Sequence, residues 1–253
     1  MTGSLEGWTA DDRRILRRTM RFSIIAVGAV LLLTEAPVAF NLFSNARVSQ
    51  AMLVVYSIPQ ALILAVLLGF PLGVLLSVAG RMISRRSAGA VLALTIACSI
   101  ASVGMLTTLV PAANRAVRKE VAGGRTSPPA RNELTFSELR EQRDAAVGAG
   151  LLDEARNLDV YFHTRWALSC APLLFVLVGL SVVTRRPVSG LILGGVFCAA
   201  LVAYYLLSRA GMSAGLEGRL PGIAAAWLPN IVFAVMWAGI ESSVILRKVY
   251  RAV

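Results

Sequence analysis

The sequence predicts an all-α integral membrane protein with six transmembrane helices, arranged three and three around one periplasmic segment. Three observations carry that expectation. The 253 residues are 57% apolar and only 15% charged, with a mean hydropathy of +0.70; soluble domains sit near about 45–50% apolar and about 25% charged. Six apolar stretches are each long enough to cross a hydrocarbon core of about 30 Å, which takes roughly 20 helical residues. None of the six alternates in the way a membrane β-barrel strand requires. A water-soluble globular domain, a disordered chain, a collagen and a disulfide scaffold are thereby excluded.

Taken in order, residues 1–21 form a basic cytoplasmic segment. It leads directly into the first span, 22–42, with no small-residue cleavage site of the kind that ends a signal peptide. The second stretch, 52–80, is longer than one span needs and contains Pro59 and Pro71, so a bent helix or an interfacial lead-in is expected. The third runs over 88–110, and residues 22–110 form the first group of three helices. Residues 111–165 form the external segment. Spans four to six run over 166–184, 188–208 and 222–246, within the second group at 166–246, and 247–253 is a short tail. Gly69 and Gly73, and again Gly190 and Gly194, stand four apart, a spacing that lets helix backbones approach closely. Either a specific helix–helix seam or the ordinary glycine content of membrane helices accounts for them. Cys98, Cys170 and Cys198 each lie in an apolar run and read as packing residues; no metal or cofactor is expected.

The charges set the orientation. Arg13, Arg14, Arg17, Arg18 and Arg21, then Arg81, Arg85 and Arg86, then Arg185 and Arg186, and finally Arg247, Lys248 and Arg251 fall on one side of the six spans. The opposite side is nearly balanced. The positive-inside rule places the arginine-rich side and both termini in the cytoplasm. The formal net charge of +11 is thus a topology signal, and no nucleic-acid partner is expected.

Within 111–165, turn-forming Gly123, Gly124, Pro128 and Pro129 precede a helix beginning near Leu134. Thr135 or Ser137 can cap it; Ser137 is followed three residues later by Arg140, so no full capping box is expected.

A few residues stand out as candidates for function. Glu35 is the one acid deep in a span, where a carboxylate costs about 2.5–3.5 kcal/mol on insertion scales. It should line a cavity, pair with Arg47 or Arg165, or be protonated. His163 and Arg165 sit at the outer end of the fourth span; Arg165 suits a lipid phosphate, while interfacial snorkelling beside Trp166 explains it equally. His163 has no partner visible in the sequence. Arg81, Arg85 and Arg86 are topology anchors and the candidates for contact with an ATPase. Glu241 is expected to pair locally with Arg247. Pro59, Pro71 and Pro229 are candidate bends or gates. There is no GxxxxGK[ST] phosphate loop, zinc spacing or nucleophile–base set. An enzyme is not expected.

The second half also carries a family resemblance. LTFSELR at 134–140, DVYFHTRWALSCAPLLF at 159–175, YYLL at 204–207 and GRLPGIAAAWLPNIVF at 218–233 resemble the LptF/LptG (YjgP/YjgQ) permeases of lipopolysaccharide export. In the first half, IPQAL at 58–62, FPL at 70–72 and the following Gly80-Arg81 look like that family's second helix. The resemblance covers roughly 12–118 and 134–250. It implies a permease subunit in the bacterial inner membrane that forms a homo- or heterodimer with a second LptF/LptG-like permease, moves a lipid, and is driven by a separate LptB-like cytoplasmic ATPase. Two departures accompany it. The family's periplasmic β-jelly-roll does not fit in 111–165, and the turn GRMISRRSA at 80–88 lacks the acidic residue of the family's ATPase-docking helix. Glu35 also departs, lying where the family is usually basic. A non-transporting scaffold or regulatory subunit derived from the family is the alternative these departures leave.

Overall fold

The structure is a computed structural model and describes residues 10–44, 50–80, 83–121, 131–185 and 187–250. Among the described residues every regular element is helical: α1 (Ala10–Ser44), α2 (Gln50–Val78), α3 (Arg85–Gly104), α4 (Val110–Val121), α5 (Phe136–Gly148), α6 (Leu152–Val183), α7 (Gly190–Leu216) and α8 (Gly222–Tyr250). Four helical stretches among them are long and apolar enough to cross a bilayer: Arg86–Ala116, Leu152–Val183, Gly190–Leu216 and Gly222–Ser242. The chain is an all-α membrane protein. α1 and α2, also expected as spans, are 35 and 29 residues long.

Lipid tails are as apolar as leucine, so membrane helices associate by close packing rather than by burial from water. Gly69 and Gly73 meet that need between α2 and α1. A Cβ on Gly69 would lie 2.7 Å from the Val27 backbone, and one on Gly73 would strike the backbone of Ser23. The same seam carries a buried hydrogen bond between the Thr19 and Ser77 hydroxyls, 2.8 Å apart. The Gly69/Gly73 pair is thus a specific seam. Gly194, of the second pair, has open space around it within the chain.

α6 is the axis of the bundle. It packs against α2, α3, α5, α7 and α8, and 61% of its apolar stretch is buried, against 17% for α7. Phe175 at its centre meets Phe197, Tyr204 and Phe233 edge-on at 5.4–5.5 Å, a favoured aromatic geometry. Around this cluster Val74, Val78, Val176 and Val183 are fully buried. The α7–α8 contact again depends on glycine: Cβ atoms on Gly211 and Gly215 would strike Ala225.

Two helices run on where the sequence suggests breaks. α3 continues into α4 through a π-helical turn, Met105–Leu109. Pro111, just beyond, has no N–H for the Thr107 carbonyl, and the widened turn precedes that gap. α6 begins at Leu152, so the polar residues ahead of Trp166 are part of the same rod as the fourth span. Nothing between them breaks a helix, and Asp153 and Glu154 in its first turn complement the helix dipole. Pro71, Pro172 and Pro229 all lie buried inside helices, and Pro59 lies in α2 with its side chain outside the described residues.

The Gly73 seam yields a direct test. Gly73→Val should lower the stability of the detergent-solubilised protein by about 1–3 kcal/mol through overpacking. Gly194→Val, with open space around it, should leave the melting temperature unchanged.

Candidate functional site

Three polar constellations break the apolar bundle, one at each end and one buried just below the hairpin end. The first lies at the hairpin end, where α5 folds back on α6. Thr135 caps α5 and forms a full capping box with Glu138. The Thr135 N–H donates to Glu138 Oε2 at 2.7 Å, and the Glu138 N–H donates to Thr135 Oγ1 at 3.4 Å. This corrects the expectation of an incomplete cap, because the acid three residues after Thr135 completes the box. Those Thr135 bonds, and then the Arg115 guanidinium paired with Glu138, hold the Glu138 carboxyl below its usual range. Beneath the cap, Leu134, Leu139 and Leu158 form a small separate core.

Arg165 fastens this hairpin. Its Nη1 donates to the Leu134 carbonyl at 2.6 Å and its Nη2 to the Arg131 carbonyl at 3.0 Å. The guanidinium lies 6.0 Å from the Phe136 ring, and Trp166 stacks on the same ring at 5.2 Å. The pair therefore clamps the 131–136 turn. His163 has a partner after all: its Nε2 is 3.6 Å from Asp159 Oδ1, one helical turn earlier. Arg143 of α5 reaches the same carboxylate oxygen at 3.2 Å. Gly222, the first residue of α8, lies so close to Asp159 that a Cβ there would strike its other oxygen. Asp159 thus joins α5, α6 and the positive end of the α8 dipole.

The second constellation is buried. Tyr204 on α7 donates its hydroxyl to Asn230 Oδ1 at 3.0 Å, and Asn230 Nδ2 donates to the Ala167 carbonyl on α6 at 2.7 Å. Three helices are tied by one satisfied polar chain, as a polar group at that depth requires. Pro229 adjoins it. Lacking an N–H, it leaves the Ala225 carbonyl without its helical donor, and that oxygen rests against Gly211. On the α2 side an apolar groove of about 260 Å³ opens between α2, α6 and α7, with Leu75, Gly179, Ile192 and Phe197 among its walls.

The third constellation gathers at the arginine end. Asp12 of α1 is buried and accepts hydrogen bonds from Ser84 Oγ, at 2.8 Å, and from Ser87 Oγ. Ser84 caps α3 through the Ser87 N–H at 3.1 Å. Gly80, at φ 71°, a backbone angle that suits glycine, donates its N–H to the Val188 carbonyl at 2.7 Å. The short turn after α2 is thereby fixed on both α1 and the α6–α7 turn. Arg86 is exposed in the first turn of α3; Arg81 and the Arg85 side chain lie outside the described residues. Glu241 pairs with Arg185 at 3.1 Å, linking α8 to the end of α6; the Arg247 side chain, its expected partner, lies outside the described residues.

The structure therefore brings His163 and Arg165 into one hairpin end and keeps Arg86 at the other. Glu35 lies in α1 with its side chain outside the described residues, as does Arg47 altogether. Sequence reasoning missed Asp159, the Tyr204–Asn230 chain and the role of Asp12, none of which has a local signature. It also passed over Gly211 and Gly215, whose spacing of four was available to it, and Glu138, whose position three after Thr135 was equally legible.

Residues 120–240 of the chain match the lipopolysaccharide export system permease LptF/LptG family. The matched stretch runs from the end of α4 to near the end of α8 and takes in both the Arg165 clamp and the Tyr204–Asn230 chain. The resemblance drawn for 12–118 lies outside it. No curated protein matches the chain.

Two outcomes are expected of these constellations. Asn230→Leu strands the Tyr204 hydroxyl and should cost about 1–2 kcal/mol in detergent unfolding; adding Tyr204→Phe should recover part of it. Glu138 has a folded pKa below its unfolded value of about 4.3. Its contribution to hairpin stability is full above that value and fades as pH falls through the folded pKa. Amide exchange of α5 should accelerate across that acid range, and Glu138→Gln should flatten the pH dependence.

Proposed function

We propose that the chain, which matches the LptF/LptG permease family over residues 120–240, is a permease subunit of a lipid-export complex and moves a lipopolysaccharide-like amphiphile. The family is a transporter component, and any ATP hydrolysis falls to a separate subunit. The family match carries this reading, because it spans α5 to α8 in one run and ends inside the last helix.

In this reading α1, α2, α3, α6, α7 and α8 are six spans of a multi-pass inner-membrane protein, three on either side of the α4–α5 segment. Both termini and the arginine end are cytoplasmic. The chain pairs with a second LptF/LptG-like permease across the bare faces of α1 and α7. Two observations support that choice: Leu32 and Leu33 on α1 are 72% and 74% exposed, and Leu191 on α7 is 89% exposed. Glu35 lines the resulting cavity. His163 and Arg165 act at its outer rim by holding the hairpin in place. Pro59, Pro71 and Pro229 supply the bends about which the helices shift.

A cytoplasmic LptB-like ATPase docks beneath Arg81, Arg85 and Arg86. The Asp12–Ser84–Ser87 contacts bear on this point, since a turn fixed to α1 transmits a push without a dedicated docking helix. The external segment is a helical hairpin over its described part, so delivery to a periplasmic bridge falls to the partner permease.

The test is reconstitution with the partner permease and ATPase in proteoliposomes. ATP-dependent lipid release is expected, with Asp12→Ala lowering it about tenfold or more, equivalent to about 1.4 kcal/mol of lost coupling. A photo-crosslinker at position 86 should capture the ATPase. Absence of both release and crosslink would replace this reading with that of a scaffold, which the short external segment favours.

A further inference from the structure

A second cleft, between α3, α6 and α8 at the arginine end, is used by nothing described above. Its volume is about 210 Å³. α3 runs away from this end while α6 and α8 run toward it. Leu92, Leu180 and Trp237 therefore share a deeper level, and Gly89, Thr184 and Glu241 lie about one helical turn nearer the end. The cleft is apolar below and polar at its mouth. Its deeper polar edge is satisfied internally, because Trp237 Nε1 donates to Ser181 Oγ at 2.9 Å.

Glu241 stands at the mouth, and Arg185, just outside the lining, pairs with it. Glu241 is 42% exposed and 3.1 Å from Arg185, which also donates to the Ile240 carbonyl at 3.1 Å. A carboxylate beside a guanidinium, above a greasy slot at a membrane boundary, mirrors an aminophospholipid: an ammonium for Glu241, a phosphate for Arg185, and an acyl chain for the slot. A lipid with phosphate and no amine would set its charge against Glu241.

We infer that this cleft binds one aminophospholipid, of the phosphatidylethanolamine type, in the leaflet facing the arginine end. The inference rests on the chain spanning a bilayer and on neither transport nor ATPase coupling.

The experiment places the full chain in bilayers of equimolar phosphatidylethanolamine and phosphatidylglycerol, extracts it in mild detergent and counts retained lipid by native mass spectrometry. One phosphatidylethanolamine per chain, enriched several-fold over phosphatidylglycerol, is expected. Glu241→Gln should bring the ratio to that of the bulk. Gly89→Leu should do the same by filling the cleft, since an added Cβ there meets nothing within 4 Å. Gly104→Leu, equally open but at the far end of α3, should keep the enrichment and shows that the readout is local. Equal retention of both lipids by the unaltered protein, or enrichment that survives both substitutions in the cleft, would overturn the inference. Loss of ATP-dependent release with enrichment intact would count against the permease reading alone.

Discussion

The close approach of backbones around α6 is the constraint on which the other features depend. Within a bilayer no water drives apolar faces together, so the bundle holds only where helices come near enough for dispersion and weak polar contacts to add up. α6 meets five other helices, and along it the chain places small residues where neighbours press in. Leu75 of α2 lies against Gly179, and Val160 lies against Gly215 of α7. The α1–α2 and α7–α8 pairs follow the same rule through Gly69, Gly73 and Gly211.

Because α6 is one rod from Leu152 to Val183, it connects what would otherwise be separate ends. At the hairpin end it contributes Asp159, His163 and Arg165; just below them it offers the Ala167 carbonyl to Asn230; at the arginine end it leads into Arg185, bound to α8 through Glu241. A tilt of α6 therefore shifts all three constellations together. α1 and α7 carry large exposed apolar side chains, while the Gly69/Gly73 seam holds α1 to α2.

Several charged residues that invite a reading as ligand sites serve first as architecture. Arg165 has two N–H groups on the backbone carbonyls of Arg131 and Leu134, at the two ends of a short 3₁₀ turn. His163 and Arg143 converge on one carboxylate, which in turn faces a helix N-terminus. Asp12 is held by two serines of another helix. Each is a polar group near a low-dielectric interior whose hydrogen bonds had to be supplied from within the chain.

The sequence by itself determined the class of the protein, the positions of the apolar stretches, the basic side of the bundle and the family resemblance of its second half. Those properties are written in local composition: hydropathy over about 20 residues, arginine at the ends of spans, motifs such as WLPN at 227–230. The helical hairpin was partly legible too, because its cap and its acidic first turn are short-range features. Only the tertiary structure decided that α6 is the axis, that Gly69 and Gly73 form a seam while Gly194 stands open, and that Asp12 meets Ser84 and Ser87 across more than seventy positions. It also decided that Asn230 is a buried polar group joining three helices. Such pairings depend on which faces of continuously apolar helices turn toward one another. With almost no amphipathic stripe in a bilayer-facing sequence, nothing local encodes that rotation.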